Sequence, residues 1–293
     1  MKTIIIANRL PIRIERKNKE LIIKESEGGL ATGLQSVCKN KNNIWIGWPG
    51  IVPKNQQEKD FINAELLKRN LIPVYLTEEE VKCFYEGFAN EIIWPICHYR
   101  PSYTVYKKEN WEFYEIVNKK FATTCMYFST QADTIWVHDY HLMLLPYYIK
   151  KQNPKIKVGY FQHIPFPTHE IFKAIPWRKD LLEGILAADL VGFHTPKDKQ
   201  YFMNTCKEIL NYSHSNTHIF LENKQTKVDF FPMGIDANKF RSISEEQETR
   251  MRRFKIRQQF QYKTLILSVD RLDYSKGIIE KNPSDTIIIT NTS

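Results

Sequence analysis

Short runs of β-branched and aliphatic residues recur along the chain, each followed by a longer stretch with apolar positions at helical spacing. The runs at 3–7, 134–137, 158–161, 190–193 and 264–269 are compactly apolar rather than alternating. Such runs suit strands buried on both faces, as in a parallel sheet covered by helices. The stretches 30–37, 78–88, 112–128, 142–150, 179–187 and 197–210 carry helical spacing and few breakers. Their alternation predicts an α/β fold built on a doubly wound parallel sheet. Internal repeats and long low-complexity segments are absent.

In open sheets of this kind ligands bind beyond the carboxyl ends of the strands. Those positions are rich here. After 3–7 comes Asn8-Arg9-Leu10-Pro11, and after 134–137 comes His138-Asp139-Tyr140-His141. The run 158–161 leads into Gln162-His163-Ile164-Pro165-Phe166-Pro167, and 264–269 into Asp270-Arg271-Leu272-Asp273-Tyr274-Ser275-Lys276-Gly277. Polar, charged and aromatic groups at strand ends are what a sugar and phosphate site requires.

Each group taken alone also has a plainer reading. Gly28 and Gly29 open a helical stretch, where free amides can hold a phosphate, but a glycine pair serves a tight turn equally well. His138-x-x-His141 raises the question of a metal, yet no third ligand at zinc-site spacing accompanies it. Asp139 reads better as an acceptor for sugar hydroxyls, and His163 alone as a core histidine. Arg271 and Lys276 across a strand-to-helix turn can clamp a diphosphate. Trp45, Trp48, Tyr85 and Trp94 offer flat faces for sugar rings or simply fill a core.

Composition narrows the class. The 293 residues include 42 Lys+Arg against 33 Asp+Glu, a net +9, with 42% hydrophobic and 26% charged residues. That apolar content argues against whole-chain disorder, because enough surface can be buried to offset ordering entropy. The longest apolar runs fall far short of the roughly 18–20 residues of a membrane span, and no apolar core of a secretory signal follows Lys2. The expected setting is cytoplasmic, with no membrane partner. Cys38, Cys83, Cys97, Cys125 and Cys206 lack CxxC spacing and read as buried thiols. The basic residues are interleaved with acids and accompany no recognised nucleic-acid module, so the charge fits anionic small substrates better than nucleic acid. The basic run Arg250-Met251-Arg252-Arg253 reads as one face of a solvated helix.

Together the segments carry a resemblance that none carries alone. Asn8-Arg9-Leu10-Pro11, Gly28-Gly29-Leu30, Trp45-Ile46-Gly47-Trp48-Pro49-Gly50 and Trp94-Pro95-x-x-His98-Tyr99-Arg100 occur in order. His138-Asp139-Tyr140-His141-Leu142, His163-Ile164-Pro165-Phe166-Pro167, Pro232-Met233-Gly234-Ile235-Asp236 and Arg271-Leu272-Asp273-Tyr274-Ser275-Lys276-Gly277 follow. The chain resembles the trehalose-6-phosphate synthase family of retaining glucosyltransferases from residue 3 to about residue 277. The resemblance implies a GT-B architecture of two Rossmann-like domains. It also implies transfer of glucose from UDP-glucose to glucose 6-phosphate with no metal and no cofactor. Carried over by position, Arg9 meets the acceptor phosphate, Trp48, Tyr85 and Trp94 shape the acceptor pocket, and Asp139 holds acceptor hydroxyls. Gly28 and Gly29 place amides near the donor phosphate, His163 contacts donor glucose, and Arg271 with Lys276 grips the UDP diphosphate.

The chain departs from the family after Gly277, where relatives continue through a whole second domain. The expected division is an acceptor-side Rossmann-like domain over 1–235 and the truncated start of a nucleotide-sugar domain over 236–293. A retaining hexosyltransferase is one reading. A catalytically silent chain that binds sugar phosphate or a full-length partner is the other, and a homo-oligomer is left open.

Overall fold

Along β1 (Thr3–Arg9) side chains alternate between two faces, and both faces are covered. Ile4 and Ile6 pack into one core with Ile46, Phe84, Phe88 and Val137. Ile5 and Ala7 pack into a second core with Trp45, Ile62, Leu66 and Leu71. A strand apolar on both faces cannot lie at a surface, and β1 occupies the sheet interior accordingly.

The computed structural model describes residues 1–17, 20–26, 33–34, 42–260, 267–278 and 287–288. They fall into two compact units, Met1–Met233 and Gly234–Ser293. In the first unit β1 is joined by β4 (Ile44–Trp48), β5 (Leu71–Pro73), β6 (Thr134–His138), β7 (Lys157–Phe161), β8 (Leu190–Phe193), β9 (His218–Phe220) and β10 (Gln225–Phe230). The sheet order is β5-β4-β1-β6-β7-β8-β10-β9. Every pairing is parallel except β10 with β9. A separate antiparallel hairpin joins β2 (Ile12–Lys17) to β3 (Glu20–Glu25).

Helices close both faces. On the Leu66 side lies α1 (Gln56–Leu67), started by Asn55, whose side chain accepts from the Glu58 amide. Opposite, α2 (Glu78–Glu80) opens with a Thr77–Glu80 capping box. It runs into a π-helix, Val81–Ile93, and then into α3 (Trp94–Cys97). The long α4 (Lys108–Phe128) packs against the π-helix where Gly87 leaves room for the Asn110 side chain. The buried Glu80 carboxylate accepts from Lys120 of α4 at 2.7 Å, tying the start of this run to its neighbour. After β6 come α5 (Leu145–Gln152), α6 (His169–Phe172), α7 (Arg178–Leu186) and α8 (Pro196–Leu210). Thr195 caps α8, with Pro196 at its first turn and Asn211 in the left-handed conformation at its end.

The second unit holds α9 (Ala237–Glu245) and α10 (Gln247–Gln259), neither with a buried residue, and a short parallel pair, β11 (Leu267–Ser268) with β12 (Ile287–Ile288). The basic run at 250–253 sits on α10 as a solvated helix.

Most expected elements appear near their expected bounds. The strand expected over 264–269 is seen only at Leu267–Ser268 among the described residues, and Val269 has already left it. The helix expected over 30–37, with Gly28, Gly29 and Cys38, lies outside the described residues apart from 33–34. Cys83, Cys97, Cys125 and Cys206 are buried and free. Among the described residues no helix is long and apolar enough to cross a membrane.

Candidate functional site

From β1 the chain winds outward through β4 to β5, and from β6 it winds the opposite way through β7 to β8. The reversal lies between β1 and β6, where an open α/β sheet leaves a crevice at its carboxyl edge. Five neighbouring strands deliver side chains to that edge. Trp48 ends β4, Arg9 ends β1, His138 ends β6 with Asp139 next, His163 follows β7 and His194 follows β8.

The guanidinium of Arg9 lies over the Trp48 ring, 4.7 Å from its centroid. Desolvation pulls its pKa below the ordinary guanidinium value, only partly offset by Tyr85. Among the described residues no carboxylate pairs with it. Its seat is made by Gly50, whose φ of +81° is left-handed and whose absent side chain leaves the space the guanidinium fills.

An aromatic wall leads away from Arg9. Trp48 is 6.0 Å from Tyr85, and Tyr85 stacks on His141 at 5.6 Å. His141 lies 3.9 Å from Tyr140, which lies 5.7 Å from Trp94. The π-helix supplies Tyr85 and α3 supplies Trp94. His141 is buried with neither ring nitrogen hydrogen-bonded, and burial holds its pKa down to about 3.

Asp139 has φ +75°, a conformation that disfavours any residue with a side chain. The surroundings over-determine it. Its amide donates to Phe161 O at 2.7 Å, its carbonyl accepts from the Leu142 amide, and its carboxylate accepts from the His163 amide at 3.1 Å. Burial raises its pKa to about 6, against the lowering effect of the His163, Tyr140 and Ile164 amides. The carboxylate is therefore mainly ionised at neutral pH and able to accept from hydroxyls.

His163 is linked to Asp139 through its amide and to His138 through its ring, with His138 Nδ1 and His163 Nε2 2.9 Å apart. Burial, reinforced by His194, holds the His163 pKa to about 3. It is a neutral hydrogen-bonding group at neutral pH, not a proton donor of the imidazolium kind. Among the described residues no group of three or more His, Cys, Asp or Glu side chains is placed to hold a metal ion.

Arg9, Trp48, Tyr85, Trp94, Asp139 and His163 are thus joined by direct contacts or through immediate neighbours at one sheet edge. Arg271 and Lys276 lie in the second unit, Lys276 on the turn Tyr274–Lys276 and Arg271 three residues before it; at the start of the turn the Asp273 side chain accepts from the Ser275 amide at 2.8 Å. Sequence reasoning passed over His194, Gly50 as the seat of Arg9, and the ring contact of His138. The available signal for His194 was its place after a third consecutive strand.

Comparison with known proteins agrees with the α/β fold. The chain is 37% identical over 288 residues to alpha,alpha-trehalose-phosphate synthase [UDP-forming] 2 of Aspergillus niger, covering 96% of this chain and 60% of the relative. The N-terminal domain of Candida albicans trehalose-6-phosphate phosphatase superposes with a TM-score of 0.82 at 26% identity, covering 99% of this chain and 64% of that one. The E. coli trehalose-6-phosphate structure bound with UDP-2-fluoro glucose gives a TM-score of 0.80 at 25% identity, again covering 99% and 64%. The expected α/β architecture of GT-B type is the one shared with these structures. The chain spans about 60% of the length of the curated relative. The sequence profile of glycosyltransferase family 20 matches residues 1–284, and with the strand-end motifs in place the chain belongs to that family.

Proposed function

We propose that the chain acts in a UDP-forming α,α-trehalose-phosphate synthase reaction, in which glucose passes from UDP-glucose to glucose 6-phosphate with retained anomeric configuration. The observation that carries this reading is Arg9: a cation exposed at the end of β1, only partly desolvated on the Trp48 ring and without a carboxylate partner among the described residues, beside the switch-point crevice. Such a cation suits a phosphate, which restores the charge balance through charge-assisted hydrogen bonds. The relatives' names support the same chemistry.

In this reading Arg9 binds the acceptor phosphate, the wall of Trp48, Tyr85 and Trp94 shapes the sugar pocket, and Asp139 accepts from acceptor hydroxyls. His163 contacts the donor glucose, Gly28 and Gly29 offer amides to the donor phosphate, and Arg271 with Lys276 grips the diphosphate. Residues 1–235 form the acceptor-side domain and 236–293 the beginning of the nucleotide-sugar domain. The acceptor hydroxyl attacks the face that UDP leaves, and the leaving phosphate takes its proton, so no protein nucleophile is required. The contribution of the protein is positioning and charge stabilisation. A neutral His163 suits this scheme, because a cationic group would oppose the developing oxocarbenium charge. Free buried thiols support a cytoplasmic setting.

Calorimetry of the chain with glucose 6-phosphate and with UDP-glucose tests the subsite assignment, alongside a UDP-release assay with mass detection of trehalose 6-phosphate. Arg9→Ala and Asp139→Ala should weaken glucose 6-phosphate on the order of ten- to a hundredfold, the worth of a charge-assisted hydrogen bond. UDP-glucose affinity should change far less. Equal losses for the two ligands would remove Arg9 and Asp139 from the acceptor subsite.

A further inference from the structure

His138 ends β6 and is wholly buried, between the Trp136 ring at 4.5 Å and the Phe161 ring at 6.4 Å. Its Nδ1 lies 2.9 Å from Nε2 of His163. Burial keeps both rings neutral at neutral pH, so each carries a single ring proton. A hydrogen bond between two such rings has two possible directions. If His138 Nδ1–H donates, His163 must hold its proton on Nδ1. If instead His163 Nε2–H donates, His138 must hold its proton on Nε2.

The far nitrogen of His138 decides between them. Its Nε2 is closed off from solvent and has no hydrogen-bond partner. The second arrangement would make it an orphaned buried N–H, whereas the first leaves only an unfilled lone pair. Orphaned buried donors are the rarer and less tolerated of the two. His194, on the other side of His163 with ring centroids 5.2 Å apart, forms no hydrogen bond with it and does not alter the choice.

We propose that His138 is a positioning residue that donates from Nδ1 to His163 Nε2, fixing His163 as the Nδ1–H tautomer so that its free N–H donates to an oxygen of the donor glucose. The last step rests on the assignment of His163 to the donor sugar. The hydrogen bond to the sugar then has a set direction: the protein donates and the sugar oxygen accepts. A ring free to exchange tautomers would offer a donor or a lone pair at the same position and hold the sugar less firmly.

The test is long-range ¹H–¹⁵N correlation of the 293-residue chain with ¹⁵N-labelled histidine, which distinguishes protonated from bare ring nitrogens. The wild-type spectrum decides the direction without any substitution. In both His138 and His163, Nδ1 should be protonated and Nε2 bare. A bare Nδ1 in His163 overturns the proposal. In His138→Phe, with folding checked from the backbone amide spectrum, His163 should show a measurable Nε2–H population. In His138→Asn, whose amide can donate from nearly the same place, His163 should stay in the Nδ1–H form. An unchanged tautomer in His138→Phe also counts against His138 as the group that sets it.

Titration with UDP-glucose separates the two layers of the argument. A shift of His163 Nδ1–H supports donation to the sugar, together with a loss of affinity on the order of 2- to 12-fold in His138→Phe, the range of one neutral hydrogen bond. If the tautomer is as stated and no His163 nitrogen responds to UDP-glucose, the donor-sugar assignment fails while the histidine pair stands.

Discussion

Replacing Gly50 with alanine should disable the proposed acceptor-phosphate site without altering Arg9, the residue proposed to bind the phosphate. A Cβ built on Gly50 overlaps Nη2 and Cζ of Arg9 outright and comes to 2.9 Å of Nη1. Against a contact distance of about 3.5 Å, even Nη1 must retreat by more than about 0.6 Å, and Nη2 further. Arg9 is long and flexible, so it will move rather than break the fold, leaving its place over the Trp48 ring. The displaced guanidinium forfeits a cation–π contact of about 0.5–1 kcal/mol and its aim at the acceptor phosphate, worth about 1.5–3 kcal/mol. Glucose 6-phosphate should bind on the order of tenfold to a hundredfold more weakly. The left-handed φ adds about 1–2 kcal/mol of strain, a fall in Tm of roughly 2–8 °C for a unit of this size. Calorimetry on Gly50→Ala, Arg9→Ala and the double variant forms the decisive cycle. If Gly50 acts through Arg9, the double variant binds no worse than Arg9→Ala alone. Full affinity in Gly50→Ala, or losses that simply add, would refute the reasoning.

Four further outcomes are expected. Because the Asp139 pKa is raised to about 6, its carboxylate is lost as pH falls through that value. Glucose 6-phosphate affinity should therefore decline below pH 6 more steeply in the wild type than in Asp139→Asn, which keeps only the phosphate's own titration near 6. The same shift means that this group stabilises the fold relatively more as pH drops from about 6 towards 4, measurable by denaturant unfolding of the two proteins. Gly87→Ala would place a Cβ 2.5 Å from Asn110 Nδ2 in a buried contact, and overpacking of about 1–3 kcal/mol should appear as a lowered Tm. Limited proteolysis should cut first within residues 235–259, where neither helix has a buried residue; equal resistance there and in the eight-stranded sheet would count against that.

How far the sequence spoke depended on how each strand is buried. β1, β6, β7 and β8 lie inside the sheet and carry unbroken apolar runs, so their positions and the residues after them were readable. β10 reads Gln225-Thr226-Lys227-Val228-Asp229-Phe230, with Thr226 and Val228 buried between exposed or half-exposed neighbours, and it passed unnoticed. β4 was noticed only as a tryptophan motif, although Ile44-Trp45-Ile46-Gly47-Trp48 is as apolar as β7 and β8, which also each hold a glycine. The π-helix could not be foreseen from a period of 3.6, since the apolar positions of 81–93 fit an α-helix nearly as well. Arg9, Asp139 and His163 stood out because charge or imidazole follows a buried strand. His194 did not, because Thr195-Pro196 after it looks first like the start of a helix, which it is. The His138–His163 contact was out of reach, since the parallel register that brings the β6 and β7 ends together is a tertiary fact.

The row of strand ends also bears on how such a protein can diverge. The strand-end residues are spread over five strands, at or just past the last ladder hydrogen bond, while the buried aliphatic residues that hold the sheet lie further back. A substitution at one strand end therefore alters one facet of ligand recognition and leaves the others, and the sheet, largely as they were. New sugar preferences can be reached one strand at a time through intermediates that still fold. Asp139 is the exception. Its carboxylate accepts from the His163 amide and is proposed to accept from acceptor hydroxyls, while its strained backbone anchors the β6–β7 junction, so this position answers to two selective pressures and has the least freedom to change.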